Sequence, residues 1–506
     1  MAQRNKMGLI IAGLLLAVLM GSMDNTIVAT AMGTIVGELG GFEQLMWVTS
    51  AYMVAEMAGM PIFGKLSDMY GRKRFFIFGI LVFMIGSALC GTADSIVQLS
   101  VYRAIQGIGG GAVLPIAFTI MFDVVPADKR GKMGGLFGAV FGLSSLFGPL
   151  LGAYITDYID WSWIFYINLP LGLIAFGLIA IFYRESVEHS KQKIDYAGAF
   201  TLVASIVCLM FALELGGKEY AWDSAMILGL FAAFAVLLMI FVVVERRAEE
   251  PIITFGMFNN RLYSTSTLMA LFSGAAFITA SVYIPIFIQG VLGGSATNSG
   301  LVLLPMMLGS VVTAAGGGSL LTKFSYRSIM ISTLALLVGG IALLTTLTPD
   351  SSRLTVTIFM ILIGLGIGSS FSVLSNAAIH GFTARQRGSA SSTLNFTREL
   401  GMTLGITVFG IIQSHAMTNK IAATFGSGGQ NAGMALSDPS SILTPDKRSA
   451  IPADILDQAA GALSSSLVIT FAWAIIPSVL ALAAALCMSK EKFDPASEQD
   501  DYSLSH

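Results

Sequence analysis

The sequence predicts an all-α integral membrane protein with fourteen transmembrane helices, and three observations carry that prediction. Hydrophobic residues make up 55% of the 506-residue chain and charged residues only 11%, far below the roughly 25% charged content of soluble domains. The charges gather in short islands between apolar stretches of about 20 residues, each long enough to cross ~30 Å of hydrocarbon. Lys and Arg, finally, are spread unevenly between alternate islands, as the positive-inside rule requires of an inserted chain.

The stretches are centred near residues 19, 55, 84, 110, 144, 172, 206, 234, 275, 310, 338, 366, 402 and 475. The first follows only Arg4 and Lys6, has no small-residue cleavage site and is too long for a signal-peptide core, so it reads as a retained helix. With the N-terminus inside, the inside islands are the N-terminal stub, Lys65–Arg74, Asp123–Lys132, Arg184–Asp195, Glu245–Leu262, Lys323–Arg327, Gly381–Gly388 and the C-terminal tail. They hold 21 of the 28 Lys and Arg residues. The outside loops hold five (Lys218, Arg353, Lys420, Lys447 and Arg448), and Arg103 and Arg398 fall within spans. This bias places both termini in the cytoplasm, and a thirteen-span count would spoil it. Cys90, Cys208 and Cys487 all lie in apolar spans and read as packing residues.

A faint repeat divides the chain. Gly64-Lys65-Leu66 leading to Arg72-Lys73-Arg74 is matched by Gly318-Ser319-Leu320 leading to Lys323 and Arg327, and Gly107-Ile108-Gly109 by Gly364-Leu365-Gly366. Spans one to six then correspond to spans nine to fourteen. The expected organisation is a six-helix bundle over 1–183, a linker with two inserted helices over 184–262, a second six-helix bundle over 263–488, and a tail, 489–506. Paired bundles around a midplane site are the usual construction of secondary transporters. A polar outer loop, 415–462, interrupts the second bundle, and Pro445–Gly461 within it has the apolar spacing of an amphipathic helix.

Candidate functional residues are those that hydrocarbon disfavours. Asp24 sits near the end of an uncharged apolar run, where a carboxylate costs about 2.5–3.5 kcal/mol even on the lenient insertion scale. Glu56 falls mid-span in Tyr52-Met-Val-Ala-Glu56, and Glu399 follows Arg398 about a third of the way into span thirteen. Desolvation suits such carboxylates to carry protons, and their charge attracts lipophilic cations. Arg103, within span four, must find a partner or water. Each has a structural alternative: a cap or packing role for Asp24, an interhelical hydrogen bond for Glu56, a local ion pair with Arg398 for Glu399, and outward snorkelling for Arg103.

Other chemistries are disfavoured. No lysine is followed by serine or threonine, so the chain has no nucleotide-binding P-loop. The run Gly107-Ile-Gly109-Gly110-Gly111 lies inside an apolar helix without a preceding strand, unlike a dinucleotide loop. His189, His380, His415 and His506 lie mostly in loops and suggest neither a metal cluster nor a proton relay. The chain is thus not expected to be an enzyme, to need a cofactor beyond a proton gradient, or to bind nucleic acid.

The most specific string is Gly64-Lys-Leu-Ser-Asp68-Met-Tyr-Gly71-Arg72-Lys-Arg74. Gly64 lets helices approach, Gly71 permits a tight turn, and Asp68 offers an acceptor to basic residues or helix N-termini. The string resembles the signature loop of the major facilitator superfamily, and the resemblance implies an inner-face lock, with Asp68 as its charged centre and Gly64, Gly71 and Arg72 as gating residues. Arg103 in Leu99–Gly107 looks like that family's buried span-four arginine. Ser144–Ala153, with Gly148, Pro149 and Gly152, resembles its span-five antiporter motif, Ser144 and Ala153 replacing two glycines; the motif goes with exporters. Met23–Ala31 and Trp161–Pro170 resemble segments of the fourteen-span drug:proton antiporters, with departures at Ala29, Gly33 and Ser162. The resemblance covers essentially the whole chain. It implies a proton-coupled antiporter in the plasma membrane, surrounded by membrane lipids, that exports amphipathic, cationic compounds; a monomer is expected because each chain holds both halves of the pathway. Proton coupling would fall to Asp24, Arg103 and Glu399, and substrate binding to Asp24, Glu56 and Glu399. Export of a native lipid, peptide or metabolite, and a transport-inactive receptor on the same fold, are alternatives the sequence leaves open.

Overall fold

The computed structural model describes residues 2–39, 45–185, 195–217, 219–294, 296–321, 323–383, 386–425 and 452–493. The chain runs through α1 (Ala2–Leu39), α2 (Leu45–Tyr70), α3 (Arg72–Cys90), α4 (Ile96–Val124), α5 (Ala127–Tyr158), α6 (Trp163–Tyr166), α7 (Asn168–Phe182), α8 (Tyr196–Leu215) and α9 (Ala225–Glu245). It continues through α10 (Arg261–Ile286), α11 (Ala296–Leu320), α12 (Tyr326–Leu344), α13 (Arg353–Ile379), α14 (Arg387–Phe425) and α15 (Ala453–Cys487).

Among the described residues, thirteen stretches are long and apolar enough to cross a bilayer, α6 and α7 forming one of them. The fourteenth long helix, α2, is 26 residues long but too polar to qualify. It carries Ser50, Glu56, Lys65 and Asp68, and it packs against α4, α3 and α8, so much of its surface meets protein rather than lipid. Serine and aspartate caps start several helices: the side chains of Ser95, Asp195, Ser224 and Ser325 each accept a first-turn N–H.

The chain divides into two compact units. One comprises Met1–Thr267, Ser375–Thr397 and Phe493–His506; the other comprises Leu268–Leu374 and Arg398–Lys492. In the first, α1 packs on α5 and α7, and α4 on α2 and α3. The inserted pair α8–α9 packs on itself and joins α2, where the Trp47 and Phe211 rings lie 4.6 Å apart.

Glycines set the helix separations, and they do so twice in the same register. In α4, a Cβ at Gly107 or Gly111 would overlap the carbonyls of Tyr52 or Glu56 in α2, and one at Gly109 would overlap the backbone of Phe83 in α3. In the second unit, Gly364 and Gly368 of α13 meet the carbonyls of Met306 and Ser310 in α11, and Gly366 meets the backbone of Leu337 in α12. Tyr52 and Met306 are 254 positions apart, as are Phe83 and Leu337, while Gly107 and Gly364 are 257 apart. The glycine echo in the sequence therefore has a structural counterpart, helix by helix. By this register Arg103 corresponds to Met360 and Glu56 to Ser310, so these two charged residues have no charged counterparts. Gly364→Ala should destabilise the fold by about 1–3 kcal/mol through overpacking, whereas Gly339→Ala, with open space around it, should not. Thermal unfolding in detergent compares the two, and equal midpoints would show that the α11–α13 approach is not tight.

Two boundaries differ from the sequence expectation. α14 continues to Phe425 and α15 begins at Ala453 behind Pro452, so the loop expected over 415–462 is helical at both ends. Residues 453–461 of the expected amphipathic helix are the first turns of a continuous 35-residue helix. No proline or glycine breaks that helix before it enters the span, apart from the tolerated Gly461. The rest of the loop and of that amphipathic segment, 426–451, falls outside the described residues.

Candidate functional site

Asp24 and Arg103, 79 positions apart in the sequence, form a buried ion pair through Arg103 Nη1 and Asp24 Oδ2. Asp24 is fully enclosed and Arg103 is 1% exposed, so the pair must satisfy itself internally. It does so through neutral donors and acceptors. Asp24 Oδ1 accepts from Gln106 Nε2 and Asn168 Nδ2, each at 2.8 Å. Arg103 Nη1 also donates to Gln106 Oε1 at 2.7 Å, and its Nε donates to the Val48 carbonyl at 3.3 Å. Its guanidinium lies 4.2 Å from the Tyr52 ring centroid and 5.9 Å from that of Phe165, a cation–π arrangement that suits a desolvated arginine.

The elements explain why these groups converge. Arg103 and Gln106 are one helical turn apart on α4 and share a face. Asn168 opens α7 just after the break that follows α6, which frees it to turn inward. Ser87 Oγ donates to the Phe165 carbonyl at 2.8 Å, so its lone pairs face Gln106 Nε2 (3.2 Å) and Asn168 Nδ2 (3.0 Å). Arg103 thus does not snorkel outward, and Asp24 is no surface cap. Sequence reasoning missed Ser87, Gln106 and Asn168 as site members; the available signal was Gln106 three positions after the arginine and Asn168 at the end of an aromatic run. Chemically, the ring offers two hydrogen-bonding states. A proton on Asp24 would remove its claim on Arg103, and Gln106, Val48 and Tyr52 would still hold the guanidinium.

Glu56 is buried on α2, one turn after Tyr52, and faces the Gly110–Gly111 segment of α4. Glu399 belongs to the second unit. There its neighbour Arg398 donates to the Ser370 carbonyl at 3.1 Å and stacks 5.0 Å from the Phe371 ring.

A second polar centre surrounds Asp68. Gly71 has φ 116°, a left-handed conformation that favours glycine, and it separates α2 from α3. Arg72 then turns back to pair with Asp68 at 3.2 Å and with Asp123 at the end of α4, while its N–H donates to Glu185. Asp68 also caps α14 from a distance: Oδ1 accepts the Gly388 N–H at 3.0 Å and Oδ2 the Ser389 N–H at 2.8 Å. A carboxylate at a helix N-terminus meets unsatisfied N–H groups and a favourable dipole. The fit is tight, since a Cβ at Gly388 would overlap the Asp68 carboxylate and one at Gly64 would overlap Ser392. Lys73 Nζ donates to the carbonyls of Ala180 and Tyr183, each at 2.7 Å, closing the end of α7. Burial and the neighbouring Asp123 push the Tyr183 phenol above its ordinary value, which keeps it neutral here. Asp123, Glu185, Gly388 and Ser389 had not been singled out from the sequence.

The span-five motif serves a close crossing. A Cβ at Gly148 would overlap Thr26 of α1, and Thr26 Oγ1 donates to the Ser144 carbonyl at 3.0 Å. Pro149 lies inside α5 and Gly152 is buried on it. This crossing places α5 two residues from Asp24.

A family model described as Major Facilitator Superfamily matches residues 14–406. The chain is 54% identical over 493 residues to "Multidrug resistance protein 3" of Bacillus subtilis (strain 168), covering 97% of this chain and 96% of that one. It is 37% identical over 483 residues to "Multidrug transporter protein MdtP" of the same organism, covering 92% and 89%. Among solved structures, the proton:xylose symporter XylE superposes with a TM-score of 0.63 at 13% identity, covering 99% of this chain and 100% of that one; this likeness concerns the fold.

Proposed function

The chain belongs to the Major Facilitator Superfamily, and from that premise we propose that it is a proton-coupled antiporter that exports amphipathic, cationic compounds across the plasma membrane. It is a many-span membrane transporter rather than an enzyme, and its relatives are named as multidrug transporters. The observation that carries the finer reading is the buried Asp24–Arg103 pair with its ring of neutral partners. A proton arriving at Asp24 competes with Arg103 for the same carboxylate. Neutralising Asp24 loosens α1 from α4 and α7, and an adjacent cation loses its counter-charge and leaves. Glu56 and Glu399 would supply further negative charge along the route. The Asp68 centre would act as the inner lock, and the Gly148–Gly152 stretch as the seam on which α1 and α5 slide. In this reading both termini lie inside and each chain works as a monomer.

The test is gradient-driven movement of a fluorescent lipophilic cation in proteoliposomes, with wild type beside Asp24→Asn. Wild type should respond to the proton gradient and the variant should not. A correctly folded wild type that moves no cation under any gradient would remove this substrate class. A variant that still responds to the gradient would remove Asp24 from the coupling path.

A further inference from the structure

The inserted helix pair carries two acids, Asp195 half-buried and Glu245 buried, that the Asp24 site does not use. Asp195 caps α8, its Oδ1 accepting the Gly198 N–H at 2.8 Å, and Glu245, the last residue of α9, accepts the Ile252 N–H at 3.2 Å through Oε1. Glu245 is only 3% exposed. The remaining oxygens, Asp195 Oδ2 and Glu245 Oε2, are buried with no hydrogen-bond partner. The two carboxyl groups also face one spot: Asp195 Oδ2 and Glu245 Oε1 both lie within 2.9 Å of the position that a Cβ on Gly198 would take.

Two ionised carboxylates so placed repel each other and leave lone pairs unsatisfied. One proton between them removes the repulsion, and an O–H on the Glu245 carboxyl gives the orphan Asp195 Oδ2 a donor. The helix ends decide which acid holds it. The N-terminus of α8 favours a charged Asp195, while the C-terminus of α9 disfavours a charged Glu245. Among the described residues, the other charged group acting on Glu245 is Lys65 of α2, itself paired with Glu250 at 2.8 Å.

This pair is wired to the Asp68 centre. Ile252, whose N–H is held by Glu245, accepts Ser389 Oγ at 3.0 Å through its carbonyl, and the Ser389 N–H donates to Asp68 at 2.8 Å. Lys65, three positions before Asp68, anchors the same connection through Glu250. Resting on the transport reading above, we propose that Asp195 and Glu245 form a regulatory proton site: a shared proton holds the 246–260 connection against α14 and keeps the inner lock closed, and its loss on the inner side loosens the lock. The inserted helices would then serve as a strap through which inner pH biases the gate, separate from the proton that Asp24 carries.

Hydrogen exchange read by mass spectrometry, on the full chain in lipid nanodiscs, tests this without any substrate. After correction for intrinsic exchange, amides of 248–254 and 387–393 should exchange roughly tenfold faster as pH rises through the transition, the change expected when the closed form binds its proton one pKa unit tighter. Glu245→Gln and Asp195→Asn each keep a permanent N–H donor in the pair, so both should stay protected and flat with pH; either one suffices if the other misfolds. A wild type with no rise, or variants that rise as wild type does, would overturn the proposal. Because the readout is gate protection, a failure to transport cations would count against the transport reading and leave this result standing.

Discussion

Replacing Arg103 by alanine should abolish gradient-driven transport and destabilise the first unit by about 3–5 kcal/mol, the usual cost of stranding one partner of a buried ion pair. Asp24 would keep Gln106 and Asn168 as donors, but neither carries charge. The guanidinium would also leave a hole beneath Tyr52 and Phe165, adding a cavity penalty. These two contributions separate by pH. Acid neutralises the stranded carboxylate and leaves the cavity as it is, so the variant should regain part of its lost stability as pH falls, while wild type should not gain. The double variant Asp24→Asn/Arg103→Ala should be more stable at neutral pH than Arg103→Ala alone, the non-additivity that marks a coupled pair. Thermal midpoints in detergent across a pH series give the answer. A loss that is the same at every pH, and additive with Asp24→Asn, would reduce Arg103 to a packing residue. If Asp24 attracts the proposed lipophilic cation, its binding should survive in Arg103→Ala, where that carboxylate is still present.

The members of this site were legible in the sequence to the degree that membrane insertion penalises them. Asp24, Glu56 and Arg103 stand out because charge in hydrocarbon demands an explanation. Ser87, Gln106 and Asn168 do not, because neutral polar side chains are common at packed interfaces between membrane helices. An approach of Arg103 to Asp24 is suggested by two opposite charges in hydrocarbon, but the contact geometry is not, since a helical pattern reports which face is apolar and says nothing about contacts 79 positions away. The Asp68 centre divides in the same way. Its acceptor and its turn glycine announce themselves, whereas its principal donors are the main-chain N–H groups of Gly388 and Ser389, which have no side-chain signature. Helix number was legible from apolar length, yet α2 shows the limit of that measure. A helix enclosed by α3, α4 and α8 needs little hydrophobicity of its own. The glycine pattern was the opposite case: a weak echo in sequence turned out to specify the same backbone approaches in both units, because only a missing side chain allows them.

Asp68→Ala should leave the protein folded but shift its gate, and this contrast with Arg103→Ala follows from what each residue holds. Removing the Asp68 carboxylate deletes two charge-assisted hydrogen bonds to the first turn of α14 and one arm of the Arg72 bridge. At roughly 1.5–3 kcal/mol for each bond to a charged group, less what water returns to the freed N–H groups once the gate opens, a net bias of about 2–3 kcal/mol is reasonable. That corresponds to a roughly thirty- to 150-fold change in the closed-to-open ratio. Arg72 is not stranded, because Asp123 still pairs with it, so the thermal midpoint should fall far less than in Arg103→Ala. Asp68→Asn should behave almost as badly as Asp68→Ala. Its amide can accept from one of the two N–H groups, but its NH2 would then confront the other. The comparison to make is alkylation of a cysteine introduced at Ser392, which lies against Gly64, in membranes where transport can be measured on the same sample. Fast labelling with lost transport and a near-normal midpoint would identify Asp68 as the residue that holds the gate. Wild-type labelling with lost transport would mean that Asp68 acts elsewhere in the cycle. Retained transport would mean that Lys65, Arg72 and Lys73 close this end of the molecule without it.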